Sequence, residues 1–132
     1  MKIRFAMLVA GVAVLLAGVP TLAHHSFAAE FDSNKPIKLT GTVTKVEWMN
    51  PHTYFYIDVK DESGKVSNWG LEMGSPNGLM RQGWTRNSMK IGDVVNVEGS
   101  RAKDGSLIGN ARSVTLQDGK RLFAASSQGV TP

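Results

Sequence analysis

From Ile37 onward the chain alternates apolar and polar residues, and that alternation changes phase within one segment. Leu39, Gly41 and Val43 share one side, whereas Val46 and Trp48 resume on the opposite parity. A period of two predicts a strand, and a one-residue slip beside a glycine predicts a bulge that bends it strongly. Asn50-Pro51 ends the strand, because proline has no N–H for a ladder. A second strand is predicted over Thr53–Lys60, with Phe55, Ile57 and Val59 on one face and Tyr54 and Tyr56 on the other. Asp61-Glu62-Ser63-Gly64-Lys65 reads as a hairpin turn. The third strand, Val66–Met73, places Trp69, Leu71 and Met73 together. Ser75 and Pro76 read as N-cap and first position of a short helix ending near Gln82, with Gly83 just beyond. Val94–Arg101 and Leu107–Leu116 follow as strands, and Asp118-Gly119 sets a last short hairpin ending at Phe123. The predicted fold is all-β with one short helix, a small five-stranded OB-like β-barrel in the order β-β-β-α-β-β, with a small open sandwich as the runner-up.

The barrel is expected over 37–123, preceded by an arm at 24–36 and followed by a flexible tail at 124–132. Phe27 and Phe31 lie four apart in that arm, and Asp32-Ser33-Asn34-Lys35-Pro36 reads as a turn. Ahead of the arm, Lys2 and Arg4 precede an apolar run from Phe5 to Val19, and Pro20, Thr21, Leu22 and Ala23 follow. A charged start, an apolar run of roughly 7–15 residues and small residues before a cut describe a secretory signal. The run is shorter than the roughly 20 residues of a membrane-spanning helix, so 1–23 is read as a cleaved signal peptide rather than an anchor. The absence of a following cysteine excludes a lipid anchor. Thr21 and Ala23 fit a cut that makes His24 the first residue; a second cut after Ala28 is the alternative. The expected location is periplasmic or secreted, with the membrane met only during export.

Export also changes the charge. The chain's 15 basic and 11 acidic side chains give +4, but loss of Lys2 and Arg4 leaves 13 basic side chains and +2. Near-neutrality without a clustered basic groove argues against nucleic acid, whose affinity is dominated by phosphate contacts. With no cysteine among 132 residues, thiol catalysis and zinc ribbons are excluded.

The three histidines are His24, His25 and His52. Cleavage before His24 sets a free amine beside an imidazole, a pair that chelates one ion, and neutral nitrogen donors suit copper. His52, held stiffly after Pro51, supplies a third nitrogen, and Met49 a soft sulfur if the ion is reduced. The plainer reading is that His25 hydrogen-bonds within the arm and His52 satisfies a strand end. A second constellation is aromatic: Tyr54 and Tyr56 share a face, and Trp48 and Trp84 are candidates to join it. Such a face on an OB-like barrel stacks bases or sugars or meets a partner, while ordinary cross-strand packing uses the same residues. The carboxylates fall mostly in turns, and Ser75 and Ser88 have no motif pairing them with a base, so no enzyme is expected.

Taken together, His24-His25-Ser26-Phe27, Gly41-Thr42-Val43, Trp48-Met49-Asn50-Pro51-His52, Gly74-Ser75-Pro76, Arg81-Gln82-Gly83-Trp84, Gly92-Asp93 and Asp118-Gly119 resemble a family of small exported bacterial proteins of unknown function. The likeness runs from about Ala23 to Phe123. It implies export and a single β-rich domain, and it implies no activity.

Three functional readings follow. The first is a non-catalytic binding module on an OB-like barrel, with its envelope ligand unknown. The second is a copper protein using His24, His25 and His52, which requires the arm to fold back toward His52. The third is an interaction module meeting an envelope protein through its aromatic face.

Overall fold

The computed structural model describes residues 27–126. The signal peptide expected at 1–23, His24 and His25, and residues 127–132 of the expected tail lie outside the described residues; the tail's first residues depart from expectation, because Ala124 is buried in the core and its N donates to the Arg112 carbonyl at 2.9 Å. Strand β1 (Phe31–Glu47) is the long bent strand, and β2 (Tyr54–Lys60) and β3 (Val66–Glu72) follow it. Strands β4 (Val94–Ala102), β5 (Ile108–Thr115) and β6 (Arg121–Phe123) come after the helix. A single helical turn, α1 (Phe27–Glu30), precedes β1, and α2 (Pro76–Arg81) separates β3 from β4. Among the described residues no helix is long and apolar enough to cross a membrane.

Strand β1 serves two neighbours. Its residues Phe31 to Thr42 pair with β4, and Thr42 to Glu47 pair with β2. The handover lies beside Gly41, where a Cβ would stand 2.6 Å from the Asp58 carbonyl oxygen, so a side chain there would push β2 away. The phase change is a bulge between Val43 and Lys45. It returns Val46 and Trp48 to the inside, where both pack half-buried against the core. Bulges re-aim side chains and increase local twist, which is what closure into a barrel needs.

The other strands complete a ring. Strands β2 and β3 form the expected hairpin, β4 and β5 another, and β3 runs parallel to β5, pairing Gly70 with Ile108, Leu71 with Gly109 and Glu72 with Asn110. The circuit β1–β2–β3–β5–β4–β1 is an OB-type barrel with the helix between β3 and β4. Gly109 lets the seam close over the core, since a Cβ there would lie 2.4 Å from Ile37 Cδ1. The sixth strand adds to the outer side of β5.

Inside, Val43, Phe55, Ile57, Leu71, Met73, Val95, Val97 and Val114 are buried, and Leu79 of α2 joins them. Each such side chain contributes about 1.5–3 kcal/mol on leaving water. The helix forms as its sequence dictates: Ser75 Oγ accepts from Gly78 N at 3.1 Å, Pro76 opens it, and Gly83 at φ +95° releases the chain.

The arm differs from expectation. Strand β1 begins at Phe31 rather than Ile37, because Phe31 is buried and pairs with Ala102 at the end of β4. Asp32 to Pro36 form a second bulge instead of a free turn, with Asp32 Oδ1 accepting from Asn34 N at 2.9 Å. The strand therefore carries the chain back along the barrel wall.

Candidate functional site

The outer face of β2 and β3 carries the site. The hairpin register places Tyr54 directly opposite Glu72. The Tyr54 hydroxyl donates to Glu72 Oε2 at 2.8 Å, and Glu72 is only 6% exposed, unusual for a carboxylate. His52, two residues before Tyr54, brings Nδ1 within 3.5 Å of Glu72 Oε1 and 3.2 Å of the Met73 carbonyl oxygen. A carbonyl only accepts, so Nδ1 is the donor of this contact, which leaves the lone pair of a neutral ring on Nε2. The seam adds Asn110, level with Glu72 on β5 and wholly buried, whose side-chain amide has no hydrogen-bond partner.

The returning arm closes one side. Lys103 N donates to the Glu30 carbonyl at 2.8 Å, tying α1 to the β4–β5 loop, and Phe27 stacks on Phe31 with ring centres 5.6 Å apart. Between them opens a cavity of about 440 Å³ lined by Glu30, Phe31, Tyr54, Glu72, Asp104 and Ile108, with Lys103 also at its edge. It lies by β2 and β3 beside the β4–β5 loop, the region with which OB barrels hold ligands. Burial first, then the bond to the Glu72 carboxylate and the charges of Glu72 and Glu30, push the Tyr54 phenol well above its ordinary range. The side chain is thus neutral at every physiological pH.

The aromatic constellation divides. Tyr54 belongs to the site, and Tyr56 lies over Gly70, where a Cβ would come within 3.2 Å of its ring, with Lys45 Nζ 5.4 Å from the ring centre. Trp48 is half-buried against the core. Trp84 does not join the face: it is 2% exposed, and its Nε1 donates to the Phe123 carbonyl at 2.8 Å, a core role. Met49 is 47% exposed. Among the described residues no group of three or more histidines and carboxylates is arranged to hold a metal ion. The barrel itself offers His52 with Glu72 behind it.

Glu72 escaped sequence reasoning, although a signal existed. The turn at Asp61–Lys65 fixes the hairpin register and therefore sets a carboxylate facing Tyr54, between the core residues Leu71 and Met73.

Residues 12–111 match a family of unknown function, DUF6152. The chain belongs to DUF6152. That agrees with the resemblance carried by its motifs. Two solved structures are similar to this DUF6152 chain. One is the mitochondrial single-stranded DNA binding protein Rim1 of S. cerevisiae, with 12% identity, 62% of this chain and 92% of that chain covered, and TM-score 0.49. The other is the N-terminal domain of the PriB protein from Thermoanaerobacter tencongensis, with 22% identity, 64% and 97% covered, and TM-score 0.47. Likenesses this distant carry no functional argument, and the barrel stands on its own ring of strands. No curated protein matches the DUF6152 chain.

Proposed function

We propose that the protein is an exported, non-catalytic binding module of the periplasm or the secreted fraction. Its ligand is a divalent metal ion, copper above others, held by His52 together with His24 and His25 of the mature N-terminus. The observation that carries this reading is the return of the chain to the cavity lined by Tyr54 and Glu72, with His52 Nδ1 3.5 Å from Glu72 Oε1. Glu30 lines the same cavity as Tyr54 and Glu72, and five or six residues separate it from His25 and His24. Phe27–Glu30 is a helical turn, so that length of chain reaches at most about 15 Å from Glu30, the radius within which the N-terminal amine and imidazole would have to meet His52. The Nδ1 of His52 is hydrogen-bonded to the Met73 carbonyl oxygen with Glu72 Oε1 3.5 Å away, an arrangement that would leave Nε2 as the metal-binding nitrogen. The cavity lining brings the carboxylates of Glu30, Glu72 and Asp104 together with Lys103, and no basic cluster of the kind phosphate contacts require.

The test is to purify the exported protein, determine its first residue by mass spectrometry and add one equivalent of Cu(II) while recording electron spin resonance. The expected outcome is His24 as first residue and nitrogen-coordinated copper. A first residue of Ala29, or copper without nitrogen ligands, overturns the reading.

An envelope-protein partner is the second reading, favoured by Ile108, 44% exposed and flanking Gly70 beside Tyr56. It predicts capture of a partner that survives loss of all three histidines but not of both Tyr54 and Tyr56.

A further inference from the structure

Glu72 is a buried carboxylate whose hydrogen bonding is incomplete. Its Oε2 accepts from the Tyr54 hydroxyl at 2.8 Å, while Oε1 meets His52 Nδ1 only at 3.5 Å. A carboxylate offers about four lone-pair sites, so Glu72 and the phenol oxygen of Tyr54 both keep accepting capacity. Both line the cavity of about 440 Å³, where Phe31 and Ile108 supply apolar wall. Cavities of roughly 300–1,000 Å³ that combine apolar walls with a few polar groups are those that take small molecules.

The seam supplies a second and independent observation. Asn110 is fully buried, and neither its Oδ1 nor its Nδ2 has a hydrogen-bond partner among the described residues. Register places this side chain on the cavity side of β5. A Cβ on Gly109 would meet Ile37 Cδ1 and Leu71 Cδ1 in the core, so the residues on either side of it face outward. Ile108, the one before, lines the cavity, and Asn110, the one after, is paired with Glu72 across the seam. A buried amide left unpaired is costly to fold, and a ligand that bonds it recovers that cost.

We propose that this cavity binds a primary ammonium group carried on a short apolar stem. An ammonium has three N–H donors and no acceptor, and Glu72 Oε1, the Tyr54 oxygen and Asn110 Oδ1 are three acceptors on one face. The stem lies against Phe31 and Ile108. The Asn110 amide sits beneath the cavity floor and reaches the ligand by turning about its own side-chain bonds. An organic cation needs only acceptors and an apolar wall, which the described residues provide, whereas they hold no group of three or more histidines and carboxylates for a metal ion. At the rim, the exposed neighbours Lys103 and Asp104 carry one charge of each sign. Glu30 also lines the cavity but is already engaged, and the site does not call on it. Nothing in this site depends on the copper reading, and either can fail without the other.

The experiment titrates the mature, metal-free protein with phenethylamine and with 2-phenylethanol, which keeps the stem and replaces the ammonium by a hydroxyl. Nuclear magnetic resonance follows the Ile108 backbone and the Asn110 side-chain amide. The expected result is saturable shifts at both with the amine at about millimolar concentration, the range open to so small a probe. The alcohol binds about tenfold more weakly or less, as the loss of a hydrogen-bonded charge predicts. In N110L amine affinity falls by about tenfold, while the urea midpoint holds or rises because an unpaired polar group has gone. Equal affinity for amine and alcohol, amine shifts that bypass Asn110, or no saturable binding overturns the proposal. Should N110L fail to fold, Ile108→Trp at a 44% exposed position fills the cavity instead. Amine binding that survives it unchanged overturns the proposal equally.

Discussion

Single atoms decide where this barrel can change. A Cβ at Gly99 would stand 2.0 Å from the Asn110 carbonyl oxygen, on backbone that cannot step aside. Gly99→Ala is therefore expected to destabilise the fold by about 1–3 kcal/mol, the range for overpacking, measured by urea denaturation. Tyr54 gives a pH signature. Its phenol is raised above the ordinary value, first by burial and then by Glu72. A raised folded value means that the unfolded chain loses this proton first, so stability is intact below the ordinary tyrosine range and declines as pH climbs above it. Wild type should lose stability on moving from neutral pH to above about 10, and Tyr54→Phe should lose less across the same interval. Equal losses would remove Tyr54 as the source. At this scale His52 and Tyr54 were legible in the sequence as chemically distinctive side chains. The inward position of Trp84 was not, because it depends on the Phe123 carbonyl, 39 residues away in the chain.

Among elements, those with local chemistry were readable. Helix α2 announces itself through Ser75, Pro76 and Gly83, and the β2–β3 hairpin through its turn. The early start of β1 was hidden, since only β4, far along the chain, tells Phe31 to be strand by pairing with it through Ala102. The hairpin turn also carries a function, because it sets the register that opposes Tyr54 and Glu72. Within the turn, Asp61 Oδ1 accepts from Ser63 Oγ at 2.6 Å and from the Ser63 and Lys65 amides at 2.9 Å. The Ser63 hydroxyl foremost, then those amides, hold the Asp61 carboxyl below its usual range. A depressed folded value contributes stability at neutral pH that is lost as pH falls through that value. Asp61→Asn should lower stability at neutral and basic pH and converge on wild type in acid, so that the acid limb flattens, as thermal melts at stepped pH will read. An acid limb unchanged by the substitution would contradict this role.

At the scale of the whole molecule, the closed ring follows from the bent strand with which the sequence announces the fold. The bulge at Val43 and Lys45 and the handover at Gly41 let β1 serve β4 and β2 in turn, and the parallel seam of β3 with β5 completes the circuit. The same strand, continued back to Phe31, returns the arm to the cavity lined by Tyr54 and Glu72. Half of the candidate site was thus readable as residue types, and the other half came from topology. Glu72 was within reach of the hairpin register, whereas the cavity between α1 and the β4–β5 loop depends on the pairing of β1 with β4. The proposed site joins His52 on the barrel to His24 and His25 in one copper complex. Nitrogen hyperfine structure in the spin-resonance spectrum of the mature protein at one equivalent of Cu(II), compared with His52→Asn, tests it most directly. Coupling to nitrogens of both the N-terminus and His52 is expected, with the His52 contribution lost in the variant. Identical spectra from the two proteins would contradict it.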